Sequence, residues 1–329
     1  MTTRRQLVSA AAAAIALPSL ISHPAHAQII GKVARLIVPF PAGGGTDAVA
    51  RLIADKLRAD YPGGIIVENK VGASGRIGAE YVRDSEPDGM TMLFSTDFVL
   101  TIYPHSFRKL NYNPVLDFAP VAQCSRTAYA LTAGPGLPAN ITTVQQFIAW
   151  CKANPKQASF ASATAGSASH FTGVMLSRAA GVDILHVPYK GGALALQDLM
   201  GGQISVSTIG IGDVLPQLNS GKLRVLATTG AQRSRFLPDV PTLVESGMKD
   251  VVVETWLGIF MPAKTPADIV NKSATMINAA LQRPDLRETF AGFAMEAVQS
   301  TPASLAAVVK ADIERWGPIV KASGFVADE

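Results

Sequence analysis

Short apolar runs alternate with helical patterns along this chain, and the whole alternation is run through twice. In the first series residues 35–40 read as a strand, 48–58 as a helix, 65–68 as a strand, 77–83 as a helix and 90–95 as a strand. The second series has strands at 159–162, 184–187, 205–209 and 223–228, with one helix beginning near Ser167 and another at 193–200. A strand, a helix and a second strand in succession bury their apolar faces most readily as a mainly parallel sheet with helices packed on it. Two such series predict two doubly wound α/β lobes. The extended stretch 121–132 suits a crossing between lobes, and the return falls near Gly230 or as late as 251–261. Helical periodicity at 267–281 and 304–321 ends the chain. The expected division is 28–124 with about 230–329 in one lobe, and about 125–229 in the other.

Length supports the same division, because 329 residues exceed what one hydrophobic core usually sustains. Residues 1–27 read as a signal peptide rather than as fold. Arg4 and Arg5 precede an apolar run through Leu17, and Ala25-His26-Ala27 has the small-x-small pattern of a signal-peptidase site. Cleavage there leaves Gln28 first and implies export to the periplasm, by the general secretory or the twin-arginine route. Beyond this leader no apolar stretch reaches the roughly 18 residues of a membrane span. Removing it takes basic over acidic residues from 29 against 25 to 27 against 25, so nothing in the charge points to nucleic acid. The remaining cysteines, Cys124 and Cys151, either pair in an oxidising compartment or rest as two buried thiols. No Cys or His cluster has metal-ligand spacing, and no cofactor is expected.

In parallel sheets ligands bind beyond the carboxyl ends of the strands, so the loops after strands are the place to look. The loop after the first strand, Phe40-Pro41-Ala42-Gly43-Gly44-Gly45-Thr46-Asp47, runs straight into a helix. Its glycines let successive amides point one way, and Thr46 or Asp47 can cap the helix; together these make an anion site. The pattern is neither GxGxxG nor a Walker loop. In the second series Ser162-Ala163-Thr164-Ala165-Gly166-Ser167-Ala168-Ser169-His170 repeats the chemistry with hydroxyls and a glycine. Ser162, Thr164, Gly166, Ser167 and His170 can complete a cage for a carboxylate held from the other side by Phe40, Ala42, Gly43, Gly44, Thr46 and Asp47. Each loop alone also reads as a tight capped turn, and it is their pairing, one per series, that favours binding. Thr96 and Asp97 follow the strand ending at 95, Asp213 follows the strand ending at 209, and Gly191 precedes another helix. Either acid can cap a turn or hold a ligand amine or hydroxyl.

Enzymatic constellations are hard to assemble. No Gly-x-Ser-x-Gly elbow occurs, and outside the leader the histidines are His105, His170 and His186. His170 beside Ser167 and Ser169 leaves a secreted hydrolase as the enzymatic alternative, although a histidine starting a helix more often orients a loop or donates to a ligand.

Together these residues resemble the Bug family, the extracytoplasmic receptors of tripartite tricarboxylate transporters. The resemblance is carried by Val38-Pro39-Phe40-Pro41-Ala42-Gly43-Gly44 with Asp47 and Arg51, by Glu68-Asn69-Lys70 with Gly72, Gly75 and Gly78, and by Gly166-Ser167-Ala168-Ser169-His170. Val187-Pro188-Tyr189-Lys190-Gly191-Gly192, Asp198-Leu199-Met200-Gly201-Gly202-Gln203, Gly221-Lys222-Leu223-Arg224-Val225-Leu226-Ala227 and Leu237-Pro238-Asp239-Val240-Pro241-Thr242 continue it in order, with Trp256 and Trp316 later. It implies a two-domain periplasmic binding protein fold, type II-like, with the ligand in the interdomain cleft. It also implies a carboxylate held by main-chain amides of the two facing loops and by ordered waters, with little use of arginine. The implied ligand is a small dicarboxylate, aromatic or amino acid type carboxylate. The implied protein is a monomer that performs no chemistry and hands its cargo to membrane permease subunits; a sensing role beside a membrane signalling protein uses the same clamp. The chain departs from the family at Ala42, where a second proline is common, and at 162–165, which is often richer in glycine.

Overall fold

The computed structural model describes residues 32–327, so the leader and its cleavage point before Gln28 lie outside the described residues. In the first series the elements are β1 (Ala34–Val38), α1 (Gly45–Leu57), β2 (Ile65–Asn69), α2 (Arg76–Arg83), β3 (Thr91–Thr96), α3 (Asp97–Thr101) and α4 (Tyr103–Ser106). The long strand β4 (Phe118–Ala133) follows, then α5 (Val144–Ala153), β5 (Ser159–Ser162), α6 (Ala168–Ala180), β6 (Leu185–Pro188) and α7 (Gly192–Met200). The chain continues through β7 (Val206–Gly210), α8 (Ile211–Val214), β8 (Arg224–Thr228), β9 (Glu254–Pro262), α9 (Ala267–Leu281), α10 (Pro284–Gly292), β10 (Glu296–Ala297) and α11 (Pro302–Ser323).

The strands line up as β2-β1-β3-β9-β4-β7-β5-β6, with β8 and β10 also pairing β4. β1 runs parallel to β2 and β3, and β5 runs parallel to β6 and β7. Each series is therefore a parallel triplet whose central strand is covered on both faces, which is why β1 is apolar at Ala34, Leu36, Ile37 and Val38. The expectation of a mainly parallel sheet fails at the centre. β9 is antiparallel to both β3 and β4, and β4 is antiparallel to β7 and β8. The physical reason is the path: β4 carries the chain out of the first triplet and β9 brings it back, so the two must run in opposite senses. β4 also shifts register against β9 between Pro120 and Ala122, next to a proline that has no N–H to give the ladder.

Apolar cores cover both parts. Leu36, Ile53, Phe94, Ile259 and Phe290 share one cluster with Cys124, while Leu131, Phe147, Phe160 and Leu226 share another with Cys151. The two thiols are buried, free and in different cores. Leu243 and Val251 pack with Phe147 although they lie beyond Gly230. A further cluster joins the parts: Ile102, Tyr129, Ala168, Phe171, Val253, Trp316 and Val320. Past α11, Phe325 turns back onto α6, its ring 5.0 Å from that of His170 and 5.8 Å from that of Phe171. The Ala327 N–H donates to Ser106 O at 2.8 Å, holding the tail to α4.

Candidate functional site

Because β1 and β3 are parallel neighbours, the loop 40–47 and the start of α3 lie at the same end of the sheet, and the rings of Phe40 and Phe98 meet at 5.9 Å. Ala42, Gly43, Gly44 and Gly45 are exposed. Gly43 has φ of +83°, a conformation that side chains disfavour. The helix is capped by Gly44, with no side-chain cap, so neither Thr46 nor Asp47 plays the capping part expected of it. That leaves the first-turn amides of Gly45, Thr46 and Asp47 without an intrahelical acceptor, at the positive end of a helix of 13 residues. The Asp47 carboxylate is buried and points back into the loop. It accepts from Gly43 N at 2.9 Å, Arg51 Nε at 2.9 Å and Asn69 Nδ2 at 2.8 Å. Burial alone raises its pKa, but the bonds from Arg51, Gly43 and Asn69 outweigh this and hold it at about 2. Asp47 is the post on which the loop is folded. Arg51 Nη2 adds a fourth bond, to Oδ1 at 3.0 Å; Asp47→Asn removes charge from all four and is expected to loosen the loop, seen as faster amide exchange at Gly43 than in the parent. In the parent, the contribution of Asp47 to stability is present above its ordinary value of 3.8 and is lost as the pH falls through about 2.

The second loop is built the same way with hydroxyls as struts. Ser167 caps α6 by accepting from His170 N, and its own hydroxyl donates to Thr164 O at 2.7 Å. Gly166, with φ of +74°, donates its N–H to His170 Nδ1 at 3.2 Å. Ser169 takes the Ala163 N–H at 3.2 Å and donates to Thr208 O. Ser162 pairs with His186 Nε2 at 2.7 Å, and the Thr164 hydroxyl donates to Ala163 O at 2.6 Å. Gly191 N closes onto Ala163 O at 2.8 Å, which brings the loop before α7 alongside. The hydroxyls of Ser162, Thr164 and Ser167 are thus engaged within the protein. As at α1, the amides of Ala168 and Ser169 in the first turn are left over.

His170 stacks on His186 with ring centroids 3.8 Å apart. Burial, then the neighbouring His186, pushes His170 down to about 3, and burial takes His186 down to about 4, so both rings are neutral at neutral pH. With Nδ1 accepting from Gly166, the proton of His170 is assigned to Nε2. Neither Ser167 nor Ser169 is bonded to the His170 ring, so the nucleophile and base of the hydrolase alternative are not assembled.

Asp97 and Asp213 enter from the two triplets, each at the start of a short helix beyond a parallel strand. Asp97 is 1 % exposed. Its Oδ1 accepts from Thr255 Oγ1 at 2.6 Å, while its Oδ2 and the hydroxyl of Thr96 have no hydrogen-bond partner among the described residues. Asp213 packs on Gly192 so closely that an added Cβ would lie 2.7 Å from its Oδ2. Tyr129 of β4 is 7 % exposed. Burial pushes its hydroxyl pKa up, and the negative charges of Asp97 and Asp213 add to the effect. Tyr129 and Thr255 were not among the expected site residues: both lie inside long strands, where alternation gives burial but not which buried face meets the second lobe.

The family model described as tripartite tricarboxylate transporter family receptor matches residues 49–325. The chain belongs to this family. Among relatives, the receptor is 32% identical to the protein BugT of Bordetella pertussis over 291 residues, covering 88% of this chain and 89% of that one. Among solved structures, the periplasmic binding protein BugD superposes with a TM-score of 0.78 at 32% identity, covering 90% of this chain and 98% of that one. An R. palustris protein solved with adipate gives a TM-score of 0.81 at 31% identity, covering 89% and 97% of the two chains. MatC of Rhodopseudomonas palustris, solved with malate, gives 0.78 at 32% identity, covering 88% and 98%. The receptor thus has the two-lobed periplasmic solute-binding fold, and its family is one of substrate-binding receptors rather than enzymes.

Proposed function

We propose that the receptor captures a small organic carboxylate in the periplasm, performs no chemistry on it and delivers it to the membrane permease subunits of a tripartite tricarboxylate transporter. The observation that carries this reading is the pair of helix N-termini, α1 and α6, each presented by a glycine-bearing loop and each with first-turn amides left over. A carboxylate between them accepts from both lobes, and preorganised amides in a cleft that excludes water bind it without an arginine. The acids bound by two relatives, adipate and malate, have the same chemistry. In this reading Ala42, Gly43, Gly44 and Thr46 grip from one side and Gly166, Ser167 and His170 from the other. Asp47, Ser162 and Thr164 shape the two loops, Phe40 and Gly191 wall the cleft, and Thr96, Asp97 and Asp213 read the far end. The receptor works as a monomer after export by its leader. The first lobe runs from 28 to about 124 and resumes near 230 or as late as 251–261, and the shared cluster of Leu243, Val251 and Phe147 supports the later return.

Export-processed protein mixed with mono-, di- and tricarboxylates is expected to show a rise in melting temperature with at least one acid and recovery of that acid chemically unchanged. No stabilisation by any organic acid would sink the reading.

A further inference from the structure

We infer that the tail after α11 is a strap between the lobes: Phe325 positions the second anion loop, and Ala327 ties that loop to the first lobe, so that a bound acid leaves slowly. This rests on the carboxylate grip proposed above, of which the second loop is one half. Chain ends usually fray, but this one is built to turn. Gly324 caps α11 in the left-handed conformation at φ +70°, which ends the helix and reverses the chain. The Ser323 hydroxyl donates to Val320 O at 2.7 Å and accepts from Phe325 N at 3.1 Å, so the turn is fixed on both sides of the glycine. The ring of Phe325 is thereby set on the start of α6. It stands edge-on to His170, with centroids 5.0 Å apart and planes at 74°, and to Phe171 at 5.8 Å and 81°. Aromatic pairs favour this edge-to-face arrangement. The ring also covers Gly166, where an added Cβ would lie 2.9 Å from its Cε1 and 3.3 Å from its Cζ. Gly166 donates to His170 Nδ1, and the His170 ring is stacked in turn on His186. The glycine of the loop, its histidine and the tail therefore form one packed unit.

Past the ring the chain returns to the first series. Val326 is 48 % exposed, whereas the Ala327 N–H donates to Ser106 O, at the end of α4, at 2.8 Å. The tail thus holds α6 with a side chain and α4 with its backbone, and these helices belong to different series. Val326 alone lies between the two holds, and two residue steps span about 7 Å at most. A hinge motion that parts α4 from α6 by more than that slack must break one hold. Holds made on closing and broken on opening slow dissociation and leave the first encounter with the acid untouched.

Stopped-flow fluorescence of the native tryptophans on the processed, full-length protein reads both rate constants. The probes are malate, adipate and any acid of the panel above that raises the melting temperature. Phe325→Ala is expected to raise the dissociation rate about ten-fold, or about 1.4 kcal/mol, while the association rate changes less than about two-fold. Phe325→Leu, which restores apolar bulk but no ring edge, should fall between alanine and the parent. Ala327→Pro lacks the N–H that reaches Ser106 and keeps the ring, and it is expected to raise the dissociation rate about three-fold or more. Melting curves of the ligand-free variants separate a strap from simple packing. A lowered melting temperature with the parent's dissociation rate in Phe325→Ala overturns the strap. So does an Ala327→Pro variant that releases the acid at the parent's rate, because Phe325 would then prop one lobe alone. Both results leave the carboxylate grip standing. Binding of none of these acids by the parent overturns the grip, and the strap with it.

Discussion

Replacing Gly45 with proline is expected to weaken carboxylate binding by about ten- to a hundred-fold while leaving the ligand-free protein as stable as before. Gly45 is the first residue of α1, where proline's fixed φ fits the helix and its missing N–H breaks no intrahelical bond. The residue before it, Gly44, is already extended at φ −75° and ψ 165°, as a residue preceding proline must be. A Cβ at Gly45 meets nothing within 4 Å. The substitution therefore deletes one amide donor and little else. A hydrogen bond to a charged group is worth about 1.5–3 kcal/mol, which sets the size of the loss. Gly45→Ala, which keeps the N–H, is the control and should bind as the parent does. Equal affinities for the proline and alanine variants in a calorimetric titration would show that this amide does not touch the ligand.

The largest loss of stability is expected at Trp316. It is 1 % exposed and lies in the cluster that ties α11 to α6 and to β4, its ring 6.0 Å from that of Phe171. Trp316→Ala opens a large cavity there and should cost about 3–5 kcal/mol in urea denaturation. Trp316→Phe, which keeps most of the apolar contact, should recover over half of that. A loss under about 1 kcal/mol for alanine would mean that the cluster collapses around the gap and that the joint between lobes is softer than its packing implies.

Much of the fold was legible because the parallel strands are buried on both faces and so are written as short apolar runs, such as Leu36-Ile37-Val38 and Met92-Leu93-Phe94. The sense of β4 and β9 was not, since alternation along a strand says nothing about the direction of its neighbour. α5 went unread although Thr143 and Gln146 form a capping box at its start, a local sign that was open to view. α10 has a proline at its first position and a short apolar face of Leu286 and Phe290, too little periodicity to stand out.

The two glycine loops were legible because their requirement is local: Gly43 and Gly166 need positive φ whatever surrounds them. The partners of the polar side chains are not local. Asp47 is satisfied by Asn69 from the end of β2, and His170 is stacked on His186 from β6. Those pairings depend on which strands become neighbours, so Asp47 looked available for a ligand when the fold had already engaged it.

The contact of Phe325 with the second loop bears on how this protein is handled in the laboratory. The ring touches His170, and a Cβ at Gly166 would lie 2.9 Å from it. Anything fused after Glu329 begins five residues along the chain from Phe325. A histidine tag at that end brings imidazoles and chelated metal within a few residues of Phe325, which touches one of the two proposed anion grips. Affinities are better measured after such a tag has been cut away, and immobilisation through that end holds the protein by a segment that touches both lobes.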